Sequence, residues 1–410
     1  MKIQTGRILI LVTTVVLFIF IGEISLAKFF PQKTFSRAYG SAIKCFNKSS
    51  ISMFSLKPNC QMNLRVSDSD KDILTATNSL GYRGEDFETE KRKGEARILV
   101  EGDSFVLGFG VEDREVFTKV LEEKLGKDVK VINAGYAGGM GPDGYYLQLK
   151  NSGMKLQPDL VVFSLFVYND FTDVKDNDWW GSGKYGEPDR VISNVLFVDD
   201  SGVLLPKDLP YIYKLPILKN SQLAVLAYNG FEKAKEKASW LYDRIRFSVF
   251  KPETPVATVS DSNFLGNFYS ACLFGNLCQR KAMHLFDDVL SVVLAARDLV
   301  ESQFNDGKTH FLVMIIPSDF QINANLKDKY QDTGIPYNAA DDPNPNPQRR
   351  LAEMFDQNKI KYLDLLPIFR GIKDNLYYKT DGHWNALGHK AAAEALYNWI
   401  SKTYGSDSAR

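Results

Sequence analysis

RILVE, residues 97–101, runs straight into Gly102-Asp103-Ser104, and this junction decides the fold. A short apolar run closed by turn-forming residues reads as a buried strand. A serine just past its end stands at the carboxyl edge of a sheet. The same pattern recurs downstream. VKVIN (129–133), PDLVVFSLF (158–166), HFLVMIIP (310–317) and KYLDLL (361–366) read as four more strands. Helical spacing fills the gaps between them. Asp113 is a candidate N-cap for a helix carrying Val116, Val120, Leu121 and Leu125. Further helices are expected over 145–153, about 282–305, 347–358 and 386–402. Near-continuous apolar strands alternating with helices predict a parallel sheet covered on both faces, a three-layer α/β/α domain. Ligands of such sheets bind beyond the carboxyl ends of the strands, so the loops that follow them carry the chemistry.

Working outward, the chain of 410 residues is long enough for one large domain with appendages. Its 50 basic residues cancel its 50 acidic ones, which removes the simplest argument for a nucleic-acid partner. The N-terminus carries an apolar run from Ile8 to Ile21 that resumes after Glu23 and reaches Phe30. Residues 1–30 therefore read as a membrane anchor, or alternatively as a signal segment cut near Ser25-Leu26-Ala27. Residues 31–90 connect it to a domain over 91–405. The four cysteines fall as two local pairs, Cys45 with Cys60 and Cys272 with Cys278, a spacing that suits disulfides formed outside the cytoplasm; buried free thiols are the alternative. Within the domain, about 175–280 breaks the strand–helix rhythm and reads as an insertion. Its helical part (223–250) has a lysine- and arginine-rich face that suits solvent, or a lid over a substrate or membrane.

A serine hydroxyl is a poor nucleophile until a base takes its proton, so Ser104 requires a histidine oriented by a carboxylate. Of four histidines, His284 lies in an amphipathic helix, His310 opens a strand and His389 sits inside the last helix, all structural settings. His383 lies in the loop YYKTDGHWNALGH (377–389), leading into a helix that Asn385 can cap. If this segment is extended, Asp381 and His383 project to the same side while Trp384 points away. Oxyanion donors are available at three strand ends: the Ser104 N–H, a backbone N–H in NAGYAGGMG (133–141), and the Asn169 side chain in FVYND (166–170).

GDSF, NAGYAG, YND and DGHWN occur in the order, and at the strand ends, of blocks I, II, III and V of the SGNH (GDSL-type) hydrolases, and the chain resembles that family over roughly 78–170 and 309–400. NSLGYRG (78–84) is similar to the lead-in of exported bacterial members. The resemblance implies a flavodoxin-like fold with Ser104 as nucleophile, Gly138 and Asn169 as oxyanion donors beside the Ser104 N–H, and His383 as base with Asp381 as its partner. One departure stands out: the block V aspartate is two residues before the histidine, not three, a DxHW form that resembles the alginate O-acetyltransferase branch. The expected activity is hydrolysis of O-acyl esters of carbohydrate or lipid outside the cytoplasm. The alternative is O-acyl transfer to an envelope polysaccharide, and a third reading is a non-catalytic glycan-binding protein. No metal or organic cofactor is implied, because such a triad carries out its own proton transfers.

Overall fold

The computed structural model describes residues 2–249, apart from 41, 67, 70 and 137, together with 280–323 and 342–405. Cys272, Cys278 and the end of the insertion lie outside the described residues. Two compact units form. One comprises 43–205 and 259–410, the other 1–42 and 206–258.

In the larger unit, β1 (Ala96–Gly102), β2 (Val129–Gly135), β3 (Leu160–Phe166), β4 (Phe311–Ile316) and β5 (Tyr362–Asp364) make one sheet. All neighbours are parallel and the order is β5-β4-β3-β1-β2. Such strands are apolar throughout because both faces are covered, and alternation sorts their side chains. Leu99, Val161, Phe163, Val313 and Ile315 enter one core; Ile98, Val100, Val162, Leu312 and Met314 enter the other. The first core is closed by α3 (Pro142–Asn151), α5 (Arg280–Glu301) and α6 (Asn346–Gln357); the second is closed by α2 (Phe117–Leu125) and α7 (Ala386–Tyr404). These are the expected three layers. The strand order is the flavodoxin-like one, and its direction reverses between β1 and β3. Two short helices complete the carboxyl edge there: α1 (Ser104–Leu107) directly after β1, and α4 (Asp170–Lys175) after β3.

Two expectations are corrected in detail. Asp113 is no N-cap: Glu112 and Glu115 form a capping box around a 3-10 turn, and α2 begins at Phe117. The Asp113 carboxylate is instead drawn to the buried Arg83 guanidinium (Nε at 2.9 Å) and to the Thr75 hydroxyl (2.6 Å). The region after 175 is also more regular than its polar composition suggests. Asn177–Trp180 pairs antiparallel with Arg190–Ser193, and Leu196–Val198 pairs with Leu204–Pro206. A disulfide joins Cys45 to Cys60 across a Cα separation of 5.7 Å.

In the smaller unit, the helix Lys2–Phe29 contains a stretch, Gly6–Phe29, whose most apolar 18 residues have a mean hydropathy of 2.6 and are not buried, long and apolar enough to cross a membrane. Its one acidic side chain has a defined role. Glu23 accepts from the Ser221 hydroxyl and from the N–H groups of Gln222 (2.7 Å) and Leu223 (3.3 Å), and so caps the helix Gln222–Val249 from outside.

Candidate active site

Ser104 opens α1, a single turn set on the end of β1. Asp103 caps that turn, its carboxylate accepting from the Phe105 N–H at 2.9 Å. Gly135, closing β2, lets the turn sit close: a Cβ there would lie 2.0 Å from the Leu107 nitrogen, so only glycine permits this packing. As a first-turn amide, the Ser104 N–H has no intrahelical acceptor and remains free to donate outward.

The sheet brings the distant C-terminal loop to this serine. His383 Nε2 lies 2.7 Å from Ser104 Oγ, and His383 Nδ1 bonds to Asp381 Oδ1. An ionised carboxylate can only accept, so Asp381 places the ring proton on Nδ1 and leaves the Nε2 lone pair facing the hydroxyl. The backbone route to this pairing differs from the extended segment expected. Residues 379–381 form a turn, and Gly382 adopts φ +85°, a left-handed geometry that folds Asp381 back beneath the ring. Trp384 points away, as expected, and is fully buried against Phe105, Phe117 and Phe369. Asn385 caps α7 by accepting from Leu387 N–H and Gly388 N–H.

The imidazole is held between two rings, Phe105 at 5.1 Å and a nearly parallel Phe109 at 5.3 Å. Phe109 belongs to the loop after α1, and that loop is clamped by Arg83. The guanidinium donates to the carbonyls of Leu107 (2.6 Å), Gly108 (2.6 Å) and Val111 (2.8 Å). Tyr378 donates to the Gly110 carbonyl at 2.7 Å and ties the histidine loop to the same segment. NSLGYRG thus supplies, through Arg83, a buttress for the His383 ring. Sequence reasoning missed it because the clamp joins residues that only the fold makes neighbours.

Of the expected oxyanion donors, Gly138 lies at an exposed left-handed turn (φ +73°) past β2, in a loop whose base is fixed by the Tyr136 N–H donating to the Gly102 carbonyl at 3.0 Å. Asn169 stands three residues past β3, at the N-cap position of α4. Its Nδ2 donates to Asp173 Oδ2 at 2.7 Å, while its buried Oδ1 meets no partner among the described residues. Around this pair the carboxyl edge is crowded with acids. Burial pushes Asp103 and Asp143 each up to about 6 and Asp173 up to about 7, the last with the Asp103 and Asp143 charges adding to the rise. Burial likewise lifts Asp170 well above the usual carboxylate range; it accepts from the Tyr145 hydroxyl and the Phe166 N–H. Asp143 accepts from Asn177 Nδ2 and Trp179 Nε1, docking the hairpin that follows α4 onto α3.

The other histidines stay out of this site. His284 is exposed on α5. His310 is buried at the opposite edge of the sheet, between the Asp159 carbonyl and Asp306, and stacked 3.5 Å from Phe304. His389 is buried on α7, where its Nδ1 accepts from the Phe117 N–H, and burial lowers its pKa to about 3.

A flavodoxin-order sheet with a serine after β1, a glycine turn after β2, an asparagine after β3 and an aspartate–histidine loop before the last helix is the arrangement that the resemblance to the SGNH, or GDSL-type, hydrolases implies. More narrowly, residues 294–410 match the family model of the SGNH hydrolase-like domain of the acetyltransferase AlgX. That match takes in Asp381 and His383 and stops short of Ser104. No curated protein matches the sequence. Solved structures similar to the chain include a lipase/acylhydrolase from Enterococcus faecalis (10% identity, 75% of this chain and 96% of that one, TM-score 0.35). Another is a catalytic mutant of Axe2, an acetylxylan esterase from Geobacillus stearothermophilus (11% identity, 76% and 96%, TM-score 0.34). At such TM-scores these likenesses carry no weight for the site.

Proposed function

We propose that this chain is an ester-acting serine enzyme that works outside the cytoplasm on an O-acylated glycan or lipid through an acyl-Ser104 intermediate. The observation that carries the reading is the continuous relay from Asp381 through His383 to the Ser104 hydroxyl. In the first half-reaction Ser104 Oγ attacks the acyl carbon as its proton passes to His383 Nε2. The oxyanion is met by the Ser104 N–H, the Gly138 N–H and Asn169 Nδ2, a class of interaction in which each donor is worth about 2.7–4 kcal/mol in the transition state. Collapse breaks the ester C–O bond, and His383 returns the proton to the departing alcohol. In the second half, His383 deprotonates an incoming hydroxyl, which attacks the acyl-serine and restores the free enzyme.

When that hydroxyl is water the enzyme is an esterase. When it belongs to a sugar of the cell envelope it is an O-acyltransferase, and this second reading is favoured by the AlgX-type match and by the two-residue spacing of Asp381 and His383. The spanning-length N-terminal helix and the Cys45–Cys60 disulfide support an anchored, extracytoplasmic site for either. The fate of the acyl group decides between them. The full chain in detergent is given an activated acetyl ester with and without envelope oligosaccharides, while acetate and acetylated sugar are followed by mass spectrometry. Acetate release indifferent to every acceptor identifies the esterase. Acetylated sugar formed at the expense of acetate, and lost in Ser104→Ala, identifies the transferase. Turnover that survives Ser104→Ala sinks both readings.

A further inference from the structure

We infer that Asp173 is a positioning residue for the oxyanion site, holding the Asn169 carboxamide with its nitrogen, and not its oxygen, turned toward the reacting carbonyl. The inference rests on the reading of Asn169 as an oxyanion donor. The two ends of a carboxamide are nearly identical in size, so packing cannot choose between them and hydrogen-bond partners must. Asn169 has one side-chain partner. Nδ2 donates to Asp173 Oδ2 at 2.7 Å, and Oδ1 is buried with no partner among the described residues. An ionised carboxylate only accepts, so it admits the amide nitrogen and rejects the oxygen. An amide nitrogen carries two hydrogens: Asp173 takes one, and the second is left for the oxyanion. Were the group turned over, Oδ1 would face both the Asp173 carboxylate and the developing negative charge.

The backbone fixes the spacing. Asp173 stands one helical turn beyond Asn169, its N–H donating to the Asn169 carbonyl at 2.8 Å, and Thr172 Oγ1 donates to the same carbonyl at 2.8 Å. On its other side Asp173 packs on the start of α3, where a Cβ at Gly141 would meet its own Cβ at 3.2 Å. The charged groups facing it are Asp103 from the end of β1, Asp143 from α3 and Asp176 at the end of α4. No cation is among them, and the side-chain donor that reaches its carboxylate among the described residues is Asn169.

The test is a double-mutant cycle on the full chain, assayed at pH 8 so that Asp173, with a pKa of about 7, is a pure acceptor. Asp173→Asn keeps the volume but accepts either orientation of Asn169. It should lower kcat about ten-fold while KM moves less than about two-fold, the pattern of a lost transition-state interaction. In an Asn169→Ala background, itself slowed by about two to three orders of magnitude, the same change should do nothing further, because Asp173 acts only through Asn169. A wild-type kcat in Asp173→Asn, or a second ten-fold loss in the Asn169→Ala background, overturns the inference. If Asp173→Asn does not fold, Asp173→Ser, which keeps an acceptor oxygen, runs through the same cycle with the same criteria. Failure of the underlying reading looks different: wild-type protein that neither turns over ester nor takes a serine-directed phosphonate at Ser104 refutes the acyl-serine enzyme itself.

Discussion

In the proposed reading, the chemistry of this site is concentrated in three side chains whose roles depend on one another. Ser104 Oγ is useful only while His383 Nε2 can take its proton, and the ring is oriented only while Asp381 holds Nδ1. Interdependence of this kind makes single losses nearly as severe as combined ones. Ser104→Ala and His383→Ala should each lower kcat by about four orders of magnitude or more on a responsive ester, and the double variant should lose little beyond that. Both should fold, since Ser104 is partly exposed and His383 about a quarter exposed. Stopped assays with circular dichroism as a control check this, and near-normal turnover in either folded variant removes the triad. At this scale the sequence was highly legible. Ser104 and Asn169 stood just past strand ends and Asp381 with His383 in the loop before the last helix, and few other residue types could fill their places. Asp173 was legible in retrospect, four residues after Asn169 on a helix.

At the scale of elements, short irregular segments do the placing and long regular ones do the supporting. The clearest case is the loop before α7, where Gly382 at φ +85° turns Asp381 under the imidazole. A non-glycine residue in that region costs about 1–2 kcal/mol, which the loop can relieve only by moving Asp381. Gly382→Ala should therefore reduce kcat/KM by about ten-fold, a loss of about 1.4 kcal/mol of transition-state stabilisation, with the secondary structure unchanged. Full activity in that variant would mean that the triad tolerates an extended loop. The DGH triplet announced a turn but not its handedness relative to Ser104. The five strands of the main sheet and the long helices were read within a few residues, because both-sides-covered strands and amphipathic helices leave clear periodicity, whereas the short strand pairs of the connecting segment and insertion were not. Asp113 was misread because its partner, Arg83, lies 30 residues earlier, and no local pattern predicts a long-range ion pair.

For the molecule as a whole, the acids gathered at the carboxyl edge set the response to pH. Asp103 and Asp143 are raised to about 6, Asp173 to about 7, and Asp364, the last residue of β5, to about 6. Each keeps its proton in the folded state over a range where the unfolded chain, with carboxyls near about 3.9, has released it, so their combined contribution falls as pH rises from about 4 to 7. His389, lowered to about 3, acts in the opposite sense, adding stability as pH rises from about 3 to 6.5, and carboxylates held low, such as Asp298 at about 2, do the same only below about pH 4, so above pH 5 the raised carboxyls, Asp170 among them, prevail. The melting temperature should accordingly be higher at pH 5 than at pH 8. Calorimetry of the full chain in detergent tests this, and a higher value at pH 8 would show that these carboxyls are ionised and paired in the folded protein.

What the sequence by itself determined is the class of the fold, the order of its elements and which side chains are candidates for the reacting groups. Hydrophobic periodicity and turn chemistry are local, and a strand end that must expose a serine says so within a few residues. What only the tertiary structure decided is which residues hold those groups in place: Arg83 on the 107–111 loop, Phe109 on the imidazole, Asp173 on Asn169, and Glu23 on the helix that starts at Gln222. Each of these contacts satisfies or orients a polar group from another turn, loop or element. The need for a partner is a property of the buried group, whereas the partner's identity depends on the path of the chain through space.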